Sequence, residues 1–245
     1  MMSDVLEQQL LEEIEQLKQQ VNALEAKQES GVAVYQYSKI RDCDLEAVVE
    51  IERRLELSVF NDWFHADIQF SHLNVFFETL IRDNAPLIES YSEEDLKVNV
   101  LVPILNQVHF KSYQHEFRDF YELPLRYSTP EFIFNGTTDF VVSAGLIKSK
   151  KPYFFIQEFK RSEEYGNPRP QLLAELISAV ELNQWQEIKG AYVIGANWYF
   201  VILKRLALHK YQYYVSEQFN SMRLDDLQLI YKHLLYIKQY VQAHI

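Results

Sequence analysis

Three residues stand out for the chemistry that their types and spacing allow. Asp139 leads an apolar run, Phe140-Val141-Val142. Glu158 and Lys160 close another, Tyr153-Phe154-Phe155-Ile156-Gln157-Glu158-Phe159-Lys160. Both runs have the aromatic and β-branched content of strands. Strand side chains alternate, so Glu158 and Lys160 project to one face and Phe159 to the other, toward a core. An acid at the end of so apolar a strand is costly to bury without a partner. If the two strands pair through a turn around residues 144–152, Asp139 and Glu158 meet at the same end of the hairpin. Two carboxylates so placed suit Mg²⁺ or Mn²⁺, hard cations that take oxygen ligands and keep several waters. An ammonium two residues beyond Glu158 then positions or activates an attacking water, or stabilises charge building on a phosphoryl group.

Elements able to position these residues are legible around them. Ser92-Glu93-Glu94-Asp95 has the Ser cap, first-turn acids and Ser-x-x-Asp spacing of a helix start. Val98, Leu101, Val102 and Leu105 continue that helix on one face, and Pro103 is expected to bend it or tighten its end. Strands are predicted over 110–120, 138–143 and 153–159. A helix follows over 170–183, with Leu172, Leu173, Leu176, Ile177 and Val180 inward. Strands over 191–194 and 198–203 flank the hairpin signal Gly195-Ala196-Asn197, and another is expected over 211–215. A helix over 224–241 closes the chain.

Upstream, an extended piece is expected over 32–37, a helix over 45–64 and a second around Leu73–Ile81 that stops before Pro86. Leu10, Ile14, Leu17, Val21 and Leu24 recur at four, three, four and three residues. That heptad stripe predicts a coiled-coil helix and a homo-oligomer formed through residues 6–28. The organisation read from these patterns is a coiled-coil helix over 1–30, a helical part over 31–89, a core over 90–215 and a C-terminal helix over 216–245.

Thr138-Asp139 followed, after eighteen residues between the acids, by Glu158-Phe159-Lys160 resembles the signature of the PD-(D/E)XK nuclease superfamily. The Pro that usually precedes the Asp is replaced here by Thr138. The stretch from Ser92 to Lys97 with Leu101-Val102-Pro103-Ile104-Leu105 resembles the Glu-bearing helix that precedes that core, as at the start of the nuclease domain of type I restriction motor subunits. Gln171 stands where the family often carries a Gln on the following helix. The resemblance covers about residues 90–205. It implies an α/β fold with a restriction-endonuclease-like αβββαβ core, a central mixed sheet flanked by helices. It also implies a Mg²⁺-dependent (or Mn²⁺-dependent) endonuclease with nucleic acid, DNA first, as its partner. Asp139, Glu158 and Glu93 would be metal ligands, with Glu93 placed ahead of its neighbour Glu94. Lys160 would orient the nucleophile and Gln171 would hold the site or the phosphate.

Charge pulls the other way. The chain carries −11 overall. Residues 1–31 hold seven acids and two lysines, or −5, which leaves −6 on the remainder. A strong nonspecific grip on duplex DNA requires many Lys and Arg contacts to phosphate, and this balance does not favour it. The competing reading is a catalytically inactive, nuclease-like module that binds protein partners. The single cysteine, Cys43, excludes an internal disulfide. With no apolar run of about 18 residues, no membrane span is expected, and a cytoplasmic protein is expected. The seven histidines lack metal-ligand spacing, and neither a Gly-rich phosphate loop nor a serine nucleophile elbow is present. Arg161 and Arg169 are possible phosphate contacts, although isolated arginines near a turn are usually solvated.

Overall fold

The computed structural model describes residues 31–68, 73–161 and 167–245. The heptad stripe over 6–28 lies outside these residues. The described chain is an α/β protein built on one mixed ten-stranded sheet. The strands are β1 (Ala33–Gln36), β2 (Glu50–Arg54), β3 (Lys111–Ser112), β4 (Phe117–Ser128), β5 (Phe132–Ala144), β6 (Lys150–Lys160), β7 (Glu187–Ile194), β8 (Asn197–Ala207), β9 (Lys210–Val215) and β10 (Phe219–Asn220). Their order is β2-β9-β8-β7-β6-β5-β4-β3, with β1 on β5 and β10 on β8. The pairs β1·β5, β2·β9 and β6·β7 are parallel and the others antiparallel.

Alternation along the strands sends side chains into two cores. Phe140, Phe155, Phe159 and Phe200 enter one, beneath α2 (Asn61–Phe64), α3 (Asn74–Asn84), the helical run Glu93–Val108 and α7 (Leu224–His244). Val141, Ile156, Tyr192 and Val201 enter the other, beneath α1 (Asp42–Val48) and α6 (Pro168–Asn183). Helix α6 is buried nearly all round, with twelve of its sixteen residues inaccessible, so it reads as a core helix rather than a surface one. A Cβ on Gly190 would come within 2.8 Å of the Ile156 carbonyl and 3.0 Å of Leu176, so glycine there lets α6 approach the sheet closely.

The helix expected around Leu73–Ile81 is present as α3, and those over 170–183 and 224–241 as α6 and α7. The helix start at Ser92 also forms as read. The Ser92 hydroxyl accepts from Asp95 N while the Asp95 carboxylate accepts from Ser92 N, a complete capping box. The run comprises α4 (Glu93–Leu96), a π-helical turn over Lys97–Leu101, and α5 (Val102–Val108), which carries Pro103 in its first turn. The distortion thus falls where the proline cannot supply its N–H.

Three expectations need correction. The helix predicted over 45–64 ends at Val48, and Glu50–Arg54 becomes the sheet-edge strand β2. Leu55, an apolar residue within the span read as helix, is 77% exposed. Pairing with β9 at a sheet edge overrides the local helical pattern. The strand predicted over 110–120 is broken by a turn at 113–116 into β3 and the start of a much longer β4 that runs on to Ser128, with Glu116 at φ +48°. Pro124 lies within β4 where only β5 flanks it, an edge position that tolerates a missing N–H. Strand β5 likewise starts at Phe132, so Asp139 lies in mid-strand rather than at its beginning.

Gly136 of β5 adopts φ +152°, and a Cβ there would fall 2.8 Å from Cδ2 of Tyr37. Tyr37, in the turn after β1, is fully buried and donates its hydroxyl proton to Ser178 Oγ at 2.7 Å, joining that turn to α6. Gly136→Ala should therefore cost about 1–3 kcal/mol by overpacking, measured by urea unfolding. An unchanged midpoint would show that this contact yields freely.

Candidate active site

The site is made by a gap in the sheet. Strand β1 lies along β5 from Phe132 to Asn135, and β6 lies along the same edge from Phe140 to Ala144. Residues 136–139 between them have no ladder partner on that side. The β5·β6 register, Phe140 opposite Gln157, places Asp139 opposite Glu158 just where pairing stops. There the Asp139 carboxylate accepts from Phe159 N at 2.8 Å in place of a ladder bond.

Four of the expected residues gather at this gap. Glu158 is 1% exposed. Its Oε1 accepts from Lys160 Nζ at 3.0 Å, while its buried Oε2 has no hydrogen-bond partner. The Lys160 ammonium also donates to the Phe159 carbonyl at 2.8 Å and lies 3.6 Å from Glu93 Oε1. The first turn of α4 thus aims Glu93 at the site, whereas Glu94 bears on the charge of Lys97. Gln171, buried on α6, reaches the cluster indirectly by donating from Nε2 to Glu175 Oε1 at 3.2 Å. Arg169 is bound to Asp42 at 2.6 Å, which ties α6 to α1.

Three participants were not singled out from the sequence. Glu175 is completely buried on α6, and its Oε2 has no hydrogen-bond partner. Lys97 lies 4.0 Å from Asp139 Oδ1 and forms an ion pair with Glu122. Glu122 takes φ +49° and drops out of the β4·β5 ladder, which passes from Tyr121↔Phe140 to Leu123↔Thr138. Glu175 and Lys97 carried a signal, since each stands four residues after a residue that was identified, Gln171 and Glu93, and so shares its helix face. Glu122 had none, because its place depends on the local break in the β4·β5 ladder at its positive φ.

The charge balance is unfavourable. Five carboxyl groups (Glu93, Glu122, Asp139, Glu158, Glu175) meet two ammonium groups (Lys97, Lys160). Burial raises the pKa of Asp139 against the pull of Lys160 and the Phe159 N–H. Burial, then the charges of Glu175 and Asp139, lifts Glu158 well above the usual carboxylate range. Burial, then Asp139, does the same to Glu175. Burial also raises Glu93. Lys160 is disfavoured as a cation by burial, but Glu158, Asp139 and Glu93 outweigh that and hold its pKa above the ordinary value.

Among the described residues, no three acidic, histidine or cysteine side chains form a ready-made metal cage. The donor set nevertheless fits a hard cation that keeps most of its waters. Glu158 Oε1, the Phe159 carbonyl and Glu93 Oε1 already surround one positive charge, the ammonium of Lys160. Glu158 Oε2 remains as a buried acceptor with unused capacity. Among the described residues no helix is long and apolar enough to cross a membrane. Compared with protein-family models and with curated proteins, the sequence matches none.

Proposed function

We propose that the protein is a metal-dependent phosphodiesterase of the PD-(D/E)XK type, an endonuclease with DNA as its expected substrate. The observation that carries this reading is the meeting of Asp139 and Glu158 at a break in the sheet, with Lys160 bonded to the second acid. The order of elements around them supports it: a Glu-bearing helical run, the antiparallel β4-β5-β6, helix α6, and β7 returning parallel to β6. That is the αβββαβ arrangement expected of a restriction-endonuclease-like core.

Asp139 and Glu158 would hold Mg²⁺ or Mn²⁺, with the Phe159 carbonyl and Glu93 as further oxygen donors. Such an ion supplies Lewis-acid stabilisation of charge on the phosphoryl oxygens. The protein's own groups do the rest. Lys160, kept charged by three carboxylates, donates to the attacking water or to a phosphoryl oxygen and so orients the nucleophile. Glu93, whose pKa burial raises above the ordinary carboxylate value and whose carboxylate is half-exposed, is placed to accept a proton from that water. Gln171 fixes the Glu175 carboxyl, which bears electrostatically on Glu158. A dimer held through residues 6–28 would supply two sites for the two strands of a duplex.

One observation favours a second reading, a non-catalytic interaction module: 35 acidic residues outnumber 24 Lys and Arg, a poor balance for a polyanion partner. Melting temperature with and without Mn²⁺ separates the two. Wild type should gain several degrees, by mass action on the folded state, and Asp139→Ala/Glu158→Ala should gain nothing. No shift in wild type would move the assignment to the interaction module.

A further inference from the structure

A second site lies on the opposite face of the sheet from Asp139 and Glu158. A cavity of about 560 Å³ opens between the segment 57–65, the 216–219 connection and α7. That volume is within the range of ligand pockets, roughly 300–1,000 Å³. Phe60, Phe64, Phe219 and Leu57 give it an apolar, mainly aromatic lining, and His233 of α7 forms part of its wall.

His233 is the informative residue. It is 2% exposed, and neither ring nitrogen has a hydrogen-bond partner. Phe64 stacks on the ring at 3.9 Å and 14°, while Phe200 and Phe219 meet it edge-on, each at 5.3 Å. The imidazole is therefore held in place, with its faces against aromatic rings and its polar edge unsatisfied. Burial pushes its pKa down to about 3, so at neutral pH the ring offers one N–H donor and one nitrogen acceptor. A buried polar group without a partner is costly, and native proteins retain few of them. An apolar residue would fill this place at no such cost. Lys232 and His65 stand at the wall close enough to act on the charge of His233, and Glu217 is on the rim.

We propose that this cavity binds a planar heteroaromatic ring carrying an anionic tail, the chemistry of a nucleoside monophosphate. The aromatic side chains take the ring, His233 bonds its edge and Lys232 meets the anion. The site is independent of the phosphodiesterase reading, because none of its residues belongs to the Asp139–Glu158 cluster.

Calorimetric titration of the whole chain with AMP tests the proposal, with adenosine and inorganic phosphate as comparisons. AMP should bind in the micromolar to low millimolar range, adenosine at least fivefold more weakly, and phosphate alone not at all. His233→Phe preserves the aromatic packing and removes both nitrogens. It should lose at least tenfold in affinity for AMP, with a melting temperature equal to or above wild type. Lys232→Gln, at a half-buried position that threatens the fold less, should weaken AMP to the level of adenosine. The dinucleotide pApA binding more tightly than AMP would identify a base within a strand as the source, and equal or weaker binding a free nucleotide. Absence of AMP binding at millimolar concentration, or binding by both variants within twofold of wild type, would overturn the proposal.

Discussion

Glu158→Gln should abolish hydrolysis and yet stabilise the metal-free protein above neutral pH. The substitution keeps an oxygen for Lys160 to donate to and removes the charge proposed to bind metal, so turnover should fall about 100- to 1,000-fold or more. The stability effect follows from linkage. Glu158 and Glu175 titrate as a buried pair whose folded pKa values lie well above those of an unfolded chain. A carboxyl whose pKa is raised on folding contributes stability that is complete below its unfolded pKa, near 4.5, and that is lost as pH rises through the folded value. Each unit of such a shift corresponds to about 1.4 kcal/mol. In EDTA, the melting temperature of wild type should therefore decline from pH 5 to pH 8, and that of Glu158→Gln should decline less. Parallel profiles for the two proteins would rule out the coupled pair as a source of instability. Full activity in the variant would remove Glu158 from the mechanism.

Lys160→Met separates the roles of ammonium and metal. Methionine keeps the aliphatic stem but leaves Glu158 Oε1 and the Phe159 carbonyl without their donor. The metal-free protein should lose about 1–3 kcal/mol at neutral pH, the cost of unsatisfied buried acceptors. Cleavage should fall about 100- to 1,000-fold, as for loss of one donor to transition-state charge. The Mn²⁺-induced rise in melting temperature should persist or grow, because Lys160 competes for the same oxygens that a metal would use. This pattern differs from that of Asp139→Ala/Glu158→Ala, in which both cleavage and the metal response should vanish. Cleavage by Lys160→Met within tenfold of wild type would sink the role assigned to the lysine.

Much of this arrangement is determined locally and is readable in the chain. Alternation in β6 puts Glu158 and Lys160 on one face and Phe159 on the other. The Ser92 box starts a helix at Glu93, and the apolar spacing from Leu172 to Val180 marks a buried helix. Gly195-Ala196-Asn197 joins two strands. Each of these depends on residues within a few positions of one another, where backbone sterics, capping and periodicity act. The pair Asp139 and Glu158 is also legible, because an acid in an apolar strand is conspicuous wherever that strand goes.

Tertiary structure alone decides the rest. Glu50–Arg54 is a strand only because β9 offers an edge. The interruption of β5 between β1 and β6, which opens the site, requires a strand from residue 33 to pair with one at residue 132. Glu122 joins the cluster through a positive-φ break in the β4·β5 ladder opposite Asp139, and Glu175 comes to bear on Glu158 only when α6 lies on the sheet over Gly190. The cavity at His233 likewise forms from segments some 170 residues apart in the chain. Local pattern specifies what each segment presents. The energies of non-local pairing and desolvation, which exist only once segments distant in sequence have met, decide what faces it.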